Sequence, residues 1–577
     1  MLVGDVITEM LIAYGVKYVF GVPGGQTHPL YDGIHRRSDR IRHVLTRDEC
    51  TASHAADAYA RVTSLVGVCD ATVGPGAIKL PSGIAEAYGS STALLALAGD
   101  VPVGWSHLVD RGCAAQGVDQ LPVFQSISKW RMRVVSKSHL PQVVRQAFAH
   151  AATGRPGPVV LTMPADILRQ PWESEDPEYF VFPRHGSFPC DRPHPSLVEV
   201  DLAAKALVEA KRPVVVAGGG AAISGAFEEL KALAEHLSMP VLTTVNGRGC
   251  ITDDHPLAIG VVGGQYASEA ANQVEREADL VLFVGCKSSQ QTSFSWSVPD
   301  KSQRVVHLDV DGAEIGKIFR TEVGLVADAK AGLAMILQAV KERMPTPAER
   351  GEWIRRAQHL KVTWWNELKP EADATAVPIR PQYLMTEIGR RLRDEDIVVT
   401  DASQCVGWAV NYLPVRRAGR YHLFPRGSAI LGFGLPAAIG ARFAAQRGKV
   451  VLVAGDGGFA YASSDLSTLA KYGLNILVVV INNGAFGLNR LEEYLDHNQD
   501  YQDVEFAPAN FALVAEGWGC KGIRVDQPGQ LGIALDRAFA TEGPVLVDVA
   551  TDGWVTPEVG LRRRLRGAAK VQVTAKA

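Results

Sequence analysis

The feature that most constrains this chain is a train of short apolar runs, each closed by Gly, Pro or Asp, recurring along its whole length. "VGVCDATVGPG", "ALLALAGD" and "GPVVLTMP" come first, then "RPVVVAGGGAAIS", "MPVLTTVNGRG", "ADLVLFVGCKSS" and "RVVHLDVD". "DIVVTDASQ", "KVVLVAGDGGF", "LNILVVVINNGAFG" and "GPVLVDVATDGW" complete the set. Runs this short and uniformly apolar read as parallel strands covered by helices on both faces. The opening, "MLVGDVITEMLIAYGVKYVFGVPGG", carries Asp5 and Glu9 within its apolar stretch. It reads as an amphipathic helix leading into a strand, neither a signal peptide nor a membrane span.

Two polar, Pro-containing stretches interrupt the pattern, "FVFPRHGSFPCDRPHPSL" at 180–197 and "KERMPTPAERGEW" at 341–353. They read as connectors. The predicted architecture is α/β, with three doubly wound parallel-sheet domains in series at 1–182, 192–345 and 379–577. A length of 577 residues suits about three domains. A net charge of -3 lacks the basic balance of a nucleic-acid binder. The eight cysteines show no CxxC pair and no ligand spacing, which fits a reducing cytoplasm.

The third block holds the most specific signal. Gly455-Asp456-Gly457 ends one apolar strand and Asn482-Asn483 ends the next, separated by about one strand and one crossover helix. Both polar tips are expected at the carboxyl edge of the sheet, where open α/β sheets bind ligands. A carboxylate, an amide oxygen and a backbone carbonyl make a hard oxygen site suited to magnesium held with a diphosphate.

On these motifs the third block resembles the diphosphate-binding domain of thiamine-diphosphate enzymes of the acetolactate synthase, pyruvate decarboxylase and oxalyl-CoA decarboxylase group. The first block resembles their pyrimidine-binding domain through "FGVPGG", "RDECTASHAADAYAR" and "TGRPGPVVLTMP". The resemblance implies that Asp456, Asn483 and the Ala485 carbonyl hold Mg2+. It implies that Leu431 props the cofactor, that the Ala429 carbonyl accepts from its exocyclic amine, and that Gln404, Cys405, Gly457 and Gly458 lie against the diphosphate. Cys405 departs from the histidine usual in acetolactate synthases.

Glu49, at the entrance of a helix packed by Ala52, Ala55, Ala56, Tyr59 and Ala60, matches the acid that hydrogen-bonds the aminopyrimidine and favours its imino form. A helix N-terminal acid stabilised by the dipole is the simpler alternative. The resemblance also implies a homodimer or homotetramer, with each active site shared between two chains.

Other residues bear on the branch of the family. The paired histidines of pyruvate decarboxylases are missing from "RGCAAQGVDQLPVFQSISKW". Gln116 matches a glutamine of acetolactate synthases that reaches the cofactor, a plain loop glutamine being the alternative, and Gln26 is placed on the same cavity. Where acetolactate synthases carry a tryptophan in a "QWQ" stretch, this chain has Glu492 followed by Glu493. Asn489, Glu492 and Glu493 share a helical face, and Glu493 is favoured as an acid or base on the substrate. For a nucleotide at the middle block, Arg155 of the first block with Gly219, Lys287, Asp309 and Ala329 match nucleotide-contacting positions of the CoA-handling branch, for ADP or the CoA nucleotide, with no FAD signature.

The basic end, with Arg562, Arg563, Arg564, Arg566 and Lys570, reads as a lid over a phosphorylated ligand or as a solvated terminus. Together these point to a cytoplasmic lyase cleaving a 2-hydroxyacyl-CoA to a ketone or aldehyde and formyl-CoA. The alternative is an acetolactate synthase-like 2-keto-acid carboligase or decarboxylase. No nucleic-acid or membrane partner is expected.

Overall fold

The strands expected from the apolar runs form, and each of the three sheets adds an edge strand on either side. The structure is a computed structural model that describes residues 1–497 and 500–565. The first sheet comprises β1 Tyr18–Gly21, β2 Arg42–Leu45, β3 Gly67–Ala71, β4 Leu94–Asp100, β5 Trp130–Arg133 and β6 Pro158–Pro164, in the order β2-β1-β3-β4-β6-β5. The second comprises β7 Pro213–Ala217, β8 Val241–Thr243, β9 Ala258–Val261, β10 Leu280–Val284, β11 Arg304–Asp309 and β12 Val323–Val326, ordered β12-β11-β10-β7-β8-β9. The third comprises β13 Ile397–Thr400, β14 His422–Leu423, β15 Val450–Gly455, β16 Ile476–Asn482, β17 Lys521–Val525 and β18 Val545–Ala550, ordered β14-β13-β15-β16-β18-β17. The ladders are parallel, as where Leu94 through Asp100 align with Pro158 through Pro164.

The first and third sheets share one strand order, and the middle sheet has the dinucleotide-fold order with its reversal between β7 and β10. The inner strands β3, β4, β6, β7, β10 and β13 are buried at every position. This is the condition that produced their continuous apolar runs.

Two compact units make up the chain. One contains Met1–Asp191, Pro425–Gln446 and Ala462–Ile476; the other contains Arg192–Phe424, Arg447–Tyr461 and Leu477–Ala577. The first unit therefore includes two connecting segments of the third sheet as well as the whole first sheet.

Both expected connectors carry structure. The first contains a 3-10 turn at Pro183–Gly186 and ends at Ser196, which caps the helix Leu197–Glu209 in a reciprocal pair with Glu199. The second is helical at both ends, in Ala329–Arg343 and Gly351–Leu368. Between them Arg350 donates to the carbonyls of Leu207, Val208, Ala210 and Leu237, so this stretch is pinned to the middle domain. Among the described residues, no helix is long and apolar enough to cross a membrane.

Candidate active site

Glu49 is the first residue of the helix Glu49–Thr63, whose N-cap Asp48 accepts from the Cys50 N–H at 2.8 Å. Small side chains dictate this burial: Ala52, Ala55, Ala56, Ala58 and Ala60 are fully buried. The residue is 7% exposed. Burial raises its carboxyl above the usual range, opposed by its own backbone N–H and by Lys79, whose ammonium stands 4.0 Å away. A carboxyl desolvated in this way holds a proton more tightly and suits a hydrogen bond to a ligand nitrogen. It lies against Gly76, where a Cβ would come within 2.8 Å of Oε1.

The same unit holds the turn carrying Ala429 and Leu431, and a residue that the sequence reading missed organises it. Glu86, fully buried, accepts from the N–H groups of Gly427 and Ser428 at 2.8 Å each and of Ala429 at 3.3 Å. It also pairs with Arg61 at 2.9 Å. Although burial opposes ionisation, Arg61 and these N–H donors prevail and hold the Glu86 carboxyl at about 2. Asp57 shares Arg61 at 2.7 Å, yet burial pushes its proton affinity up, because one guanidinium does not compensate two carboxylates equally. Ala429 is held in the left-handed region, at φ 57°. The available signal was a lone acid in the small-residue helix "PSGIAEAYGS".

In the other unit, Asp456 opens the short helix Asp456–Ala460 at the tip of β15. Its carboxylate accepts from the N–H groups of Asn483 at 3.0 Å and Gly484 at 2.6 Å, just past β16, and from Gly457 at 2.8 Å. Asn483 Oδ1 in turn accepts from the Ala485 N–H at 3.1 Å. The two strand tips inferred from the GDG and NN motifs are thus tied together through Asp456. Burial raises the Asp456 carboxyl despite these donors, an environment that a bound cation relieves. Among the described residues, no group of three or more His, Cys, Asp or Glu is arranged for a metal, so any cation here needs the mixed donor set.

Gln404 and Cys405 begin the helix Gln404–Tyr412, beyond the tip of β13 and beside the third sheet's strand reversal. Among the described residues the buried Gln404 Nε2 has no hydrogen-bond partner, and the buried Cys405 thiol faces Gly455, its proton affinity raised by burial. Gly457 and Gly458 follow Asp456, and a Cβ on Gly458 would stand 2.8 Å from the Asp401 carboxylate. The hard oxygens of Asp456 and Asn483 and the buried Gln404 amide donor fit a diphosphate held with magnesium, and the desolvated Glu49 carboxyl fits a ring nitrogen of thiamine.

The helix Gly487–Asp496 carries the acids that distinguish this chain. Glu493 accepts from the Gln502 N–H at 3.0 Å. Glu492, with its carboxyl raised by burial and by Asp496, lies in the field of Glu558. Burial and Glu492 push Glu558 up to about 7. Arg490, also missed from sequence, is buried over the Trp554 ring at 4.7 Å.

Among the tail residues, Arg562 pairs with Glu371, Arg563 with Glu269 at 3.0 Å and Arg564 with Asp496, so acids offset the positive run. Arg566 and Lys570 lie outside the described residues.

Four nucleotide candidates fall at one edge of the middle sheet. Gly219, Lys287, Asp309 and Ala329 stand at or just beyond the carboxyl ends of β7, β10, β11 and β12, which are consecutive neighbours. Asp309 accepts from the Asp311 N–H at 2.9 Å, and Ala329 opens a helix capped by Asp328. The glycine-rich turn packs tightly, with the Gly220 N–H donating to the Gly285 carbonyl at 2.9 Å. Arg155 belongs to the first unit, where its Nε donates to Ser91 at 3.0 Å. Gln116 is an exposed loop residue of that unit at φ 60°, and Gln26 Nε2 donates to it at 3.4 Å.

Comparison with known proteins identifies the class. Family models of the thiamine pyrophosphate enzymes match in order: the N-terminal TPP binding domain at 1–123, the central domain at 200–336 and the C-terminal TPP binding domain at 401–549. The chain belongs to the thiamine-diphosphate-dependent enzymes. Within that class it is 36% identical to a probable acetolactate synthase large subunit of Methanocaldococcus jannaschii, over 95% of this chain and 91% of that protein. Acetolactate synthase large subunits of Lactococcus lactis (33% identical; 94% of this chain, 92% of that protein) and Corynebacterium glutamicum (32%; 96% and 87%) are also similar.

Proposed function

We propose that this enzyme is a carboligase or decarboxylase of 2-keto acids, of the acetolactate synthase type, using thiamine diphosphate and Mg2+. The observation that carries the reading is the likeness to acetolactate synthase large subunits over nearly the whole chain. It displaces the lyase as the leading assignment. Bound thiamine diphosphate supplies a nucleophilic carbon for the substrate carbonyl and an electron sink for the bond that breaks.

The chain's residues do the rest. Asp456, Asn483 and the Ala485 carbonyl hold the cation, Gln404, Cys405, Gly457 and Gly458 line the diphosphate, and Leu431 and the Ala429 carbonyl orient the aminopyrimidine. Glu49 holds a proton at its buried carboxyl and hydrogen-bonds the ring nitrogen, while Gln116 faces the substrate. The working form is a homodimer or homotetramer in which Glu49 of one chain serves the cation site of its partner, and the setting is cytoplasmic.

A second reading, the 2-hydroxyacyl-CoA lyase, is favoured by Glu492 and Glu493 on the helix after the cation site. In it Glu493 leaves the Gln502 N–H to act on the substrate hydroxyl, and the middle-sheet edge takes ADP or the CoA nucleotide. Turnover of pyruvate and of a short 2-hydroxyacyl-CoA by the cofactor-loaded enzyme decides between them. Condensation or decarboxylation of pyruvate is expected. Cleavage of the 2-hydroxyacyl-CoA to formyl-CoA and an aldehyde or ketone, with no reaction of pyruvate, would overturn the assignment.

A further inference from the structure

Beside Glu49 runs a hydrogen-bonded chain that the family assignment does not explain. Thr72, just past β3, sends its hydroxyl to Gln26 Oε1 at 3.0 Å. With its oxygen so engaged, Gln26 turns its amide nitrogen to Gln116 Oε1, at 3.4 Å. A carboxamide has one oxygen end and one –NH2 end. Committing the Gln116 oxygen to Gln26 leaves its –NH2 end to face away.

The backbone reinforces this arrangement. Gln116 is a non-glycine residue in the left-handed region, at φ 60°, a conformation that persists where its surroundings enforce it. Its carbonyl lies so close to Gly74 that any Cβ there would collide with it. The Gly74 N–H donates to Gln120 Oε1 at 3.3 Å, and the buried Gln120 amide donates to the Gly99 carbonyl at 3.0 Å. The position of a Gly76 Cβ would lie 2.9 Å from the Thr72 methyl and 2.8 Å from Glu49 Oε1. Glu49, Thr72, Gln26 and Gln116 therefore form one continuous wall.

We infer that Thr72 and Gln26 are positioning residues that orient Gln116 so that its –NH2 end donates to a carboxylate oxygen of the substrate. The inference rests on the 2-keto-acid reading and deepens it. The relay makes the wall a donor toward an oxygen anion and a poor partner for a group that has only hydrogens to offer.

The test is a double-mutant cycle read by binding. The probe is oxamate, an unreactive carboxylate of pyruvate's shape, titrated calorimetrically into the cofactor-loaded full-length enzyme. Gln116→Met should weaken oxamate about tenfold and Thr72→Val about threefold, the size expected for losing or loosening one hydrogen bond to a charged group. Valine keeps the methyl over Gly76, so retention of thiamine diphosphate should not change, and Thr72→Ser should restore binding. In the Gln116→Met background Thr72→Val should add nothing, because the relay acts only through Gln116. Pyruvate turnover should show the same variants mainly in KM.

Full additivity of the two substitutions, or native affinity in Thr72→Val, would overturn the relay while leaving the 2-keto-acid assignment intact. Failure of the native enzyme to bind oxamate would overturn the relay; a concurrent lack of pyruvate turnover would remove the assignment as well.

Discussion

At the residue scale, buried charge decides most of the behaviour. Glu49→Gln keeps the shape but not the proton exchange, and turnover should fall by about 10²-fold or more, with thiamine diphosphate still retained. Its stability effect should have the opposite sign. Because the folded state raises the Glu49 carboxyl, folding favours the protonated form, and its contribution is lost as pH rises through the folded value. Thermal melts should therefore show Glu49→Gln more stable than the native enzyme at pH 8, with the advantage shrinking toward pH 4. Equal melting temperatures at both pH values would contradict this.

Glu86 is the reverse case. Its carboxyl is lowered from 4.5 to about 2, so its stabilisation is present above the ordinary value and lost as pH falls from 4.5 toward 2. The shift corresponds to on the order of 3 kcal/mol for this buried group. Glu86→Gln should cost a similar amount at neutral pH and loosen the Gly427–Ala429 turn, read as weaker cofactor retention. The GDG and NN pair announced itself because both motifs end apolar strands. Glu86 stayed hidden because its partners are backbone N–H groups more than 300 positions away, which leave no local pattern.

At the scale of elements, legibility divides between the inside and the rim of each sheet. The strands read from the sequence are the four inner strands of each sheet, β1, β3, β4 and β6 in the first, and their counterparts in the other two. The strands missed are the edges β2, β5, β9, β12, β14 and β17. Inner strands are apolar on both faces, whereas edges such as "RHVL", "WRMR" and "KGIRV" are mixed, and periodicity does not separate them from loop. Packing between helices was equally invisible. The helix Gly434–Ala444 lies so close to the Glu49 helix that a Cβ on Gly440 would collide with the Ala55 carbonyl. Gly440→Ala should destabilise the protein by about 1–3 kcal/mol through overpacking. Denaturant titration should show that loss, accompanied by lower activity as the Glu49 helix shifts. An unchanged midpoint would mean that the helices part at little cost.

At the scale of the whole molecule, sequence likeness over nearly the whole chain establishes the family, and the residues around the site discriminate within it. Glu492 and Glu493 favoured a lyase from sequence alone. The structure gives Glu493 a backbone partner and sets Glu492 among Asp496, Glu558 and Arg564. Neither acid therefore requires a substrate to account for its place. Three domains in series were legible because each repeats the same strand signature. An interface between copies has no periodicity of its own, so the homodimer or homotetramer rests on the family resemblance alone.

The central proposal is that Glu49 of one chain and Asp456 of its partner serve one site. Glu49→Gln and Asp456→Ala should each be inactive alone. Mixing them in equal amounts under conditions that exchange subunits should restore about a quarter of native activity, since half of randomly paired dimers carry one intact site. No recovery after verified exchange would contradict it.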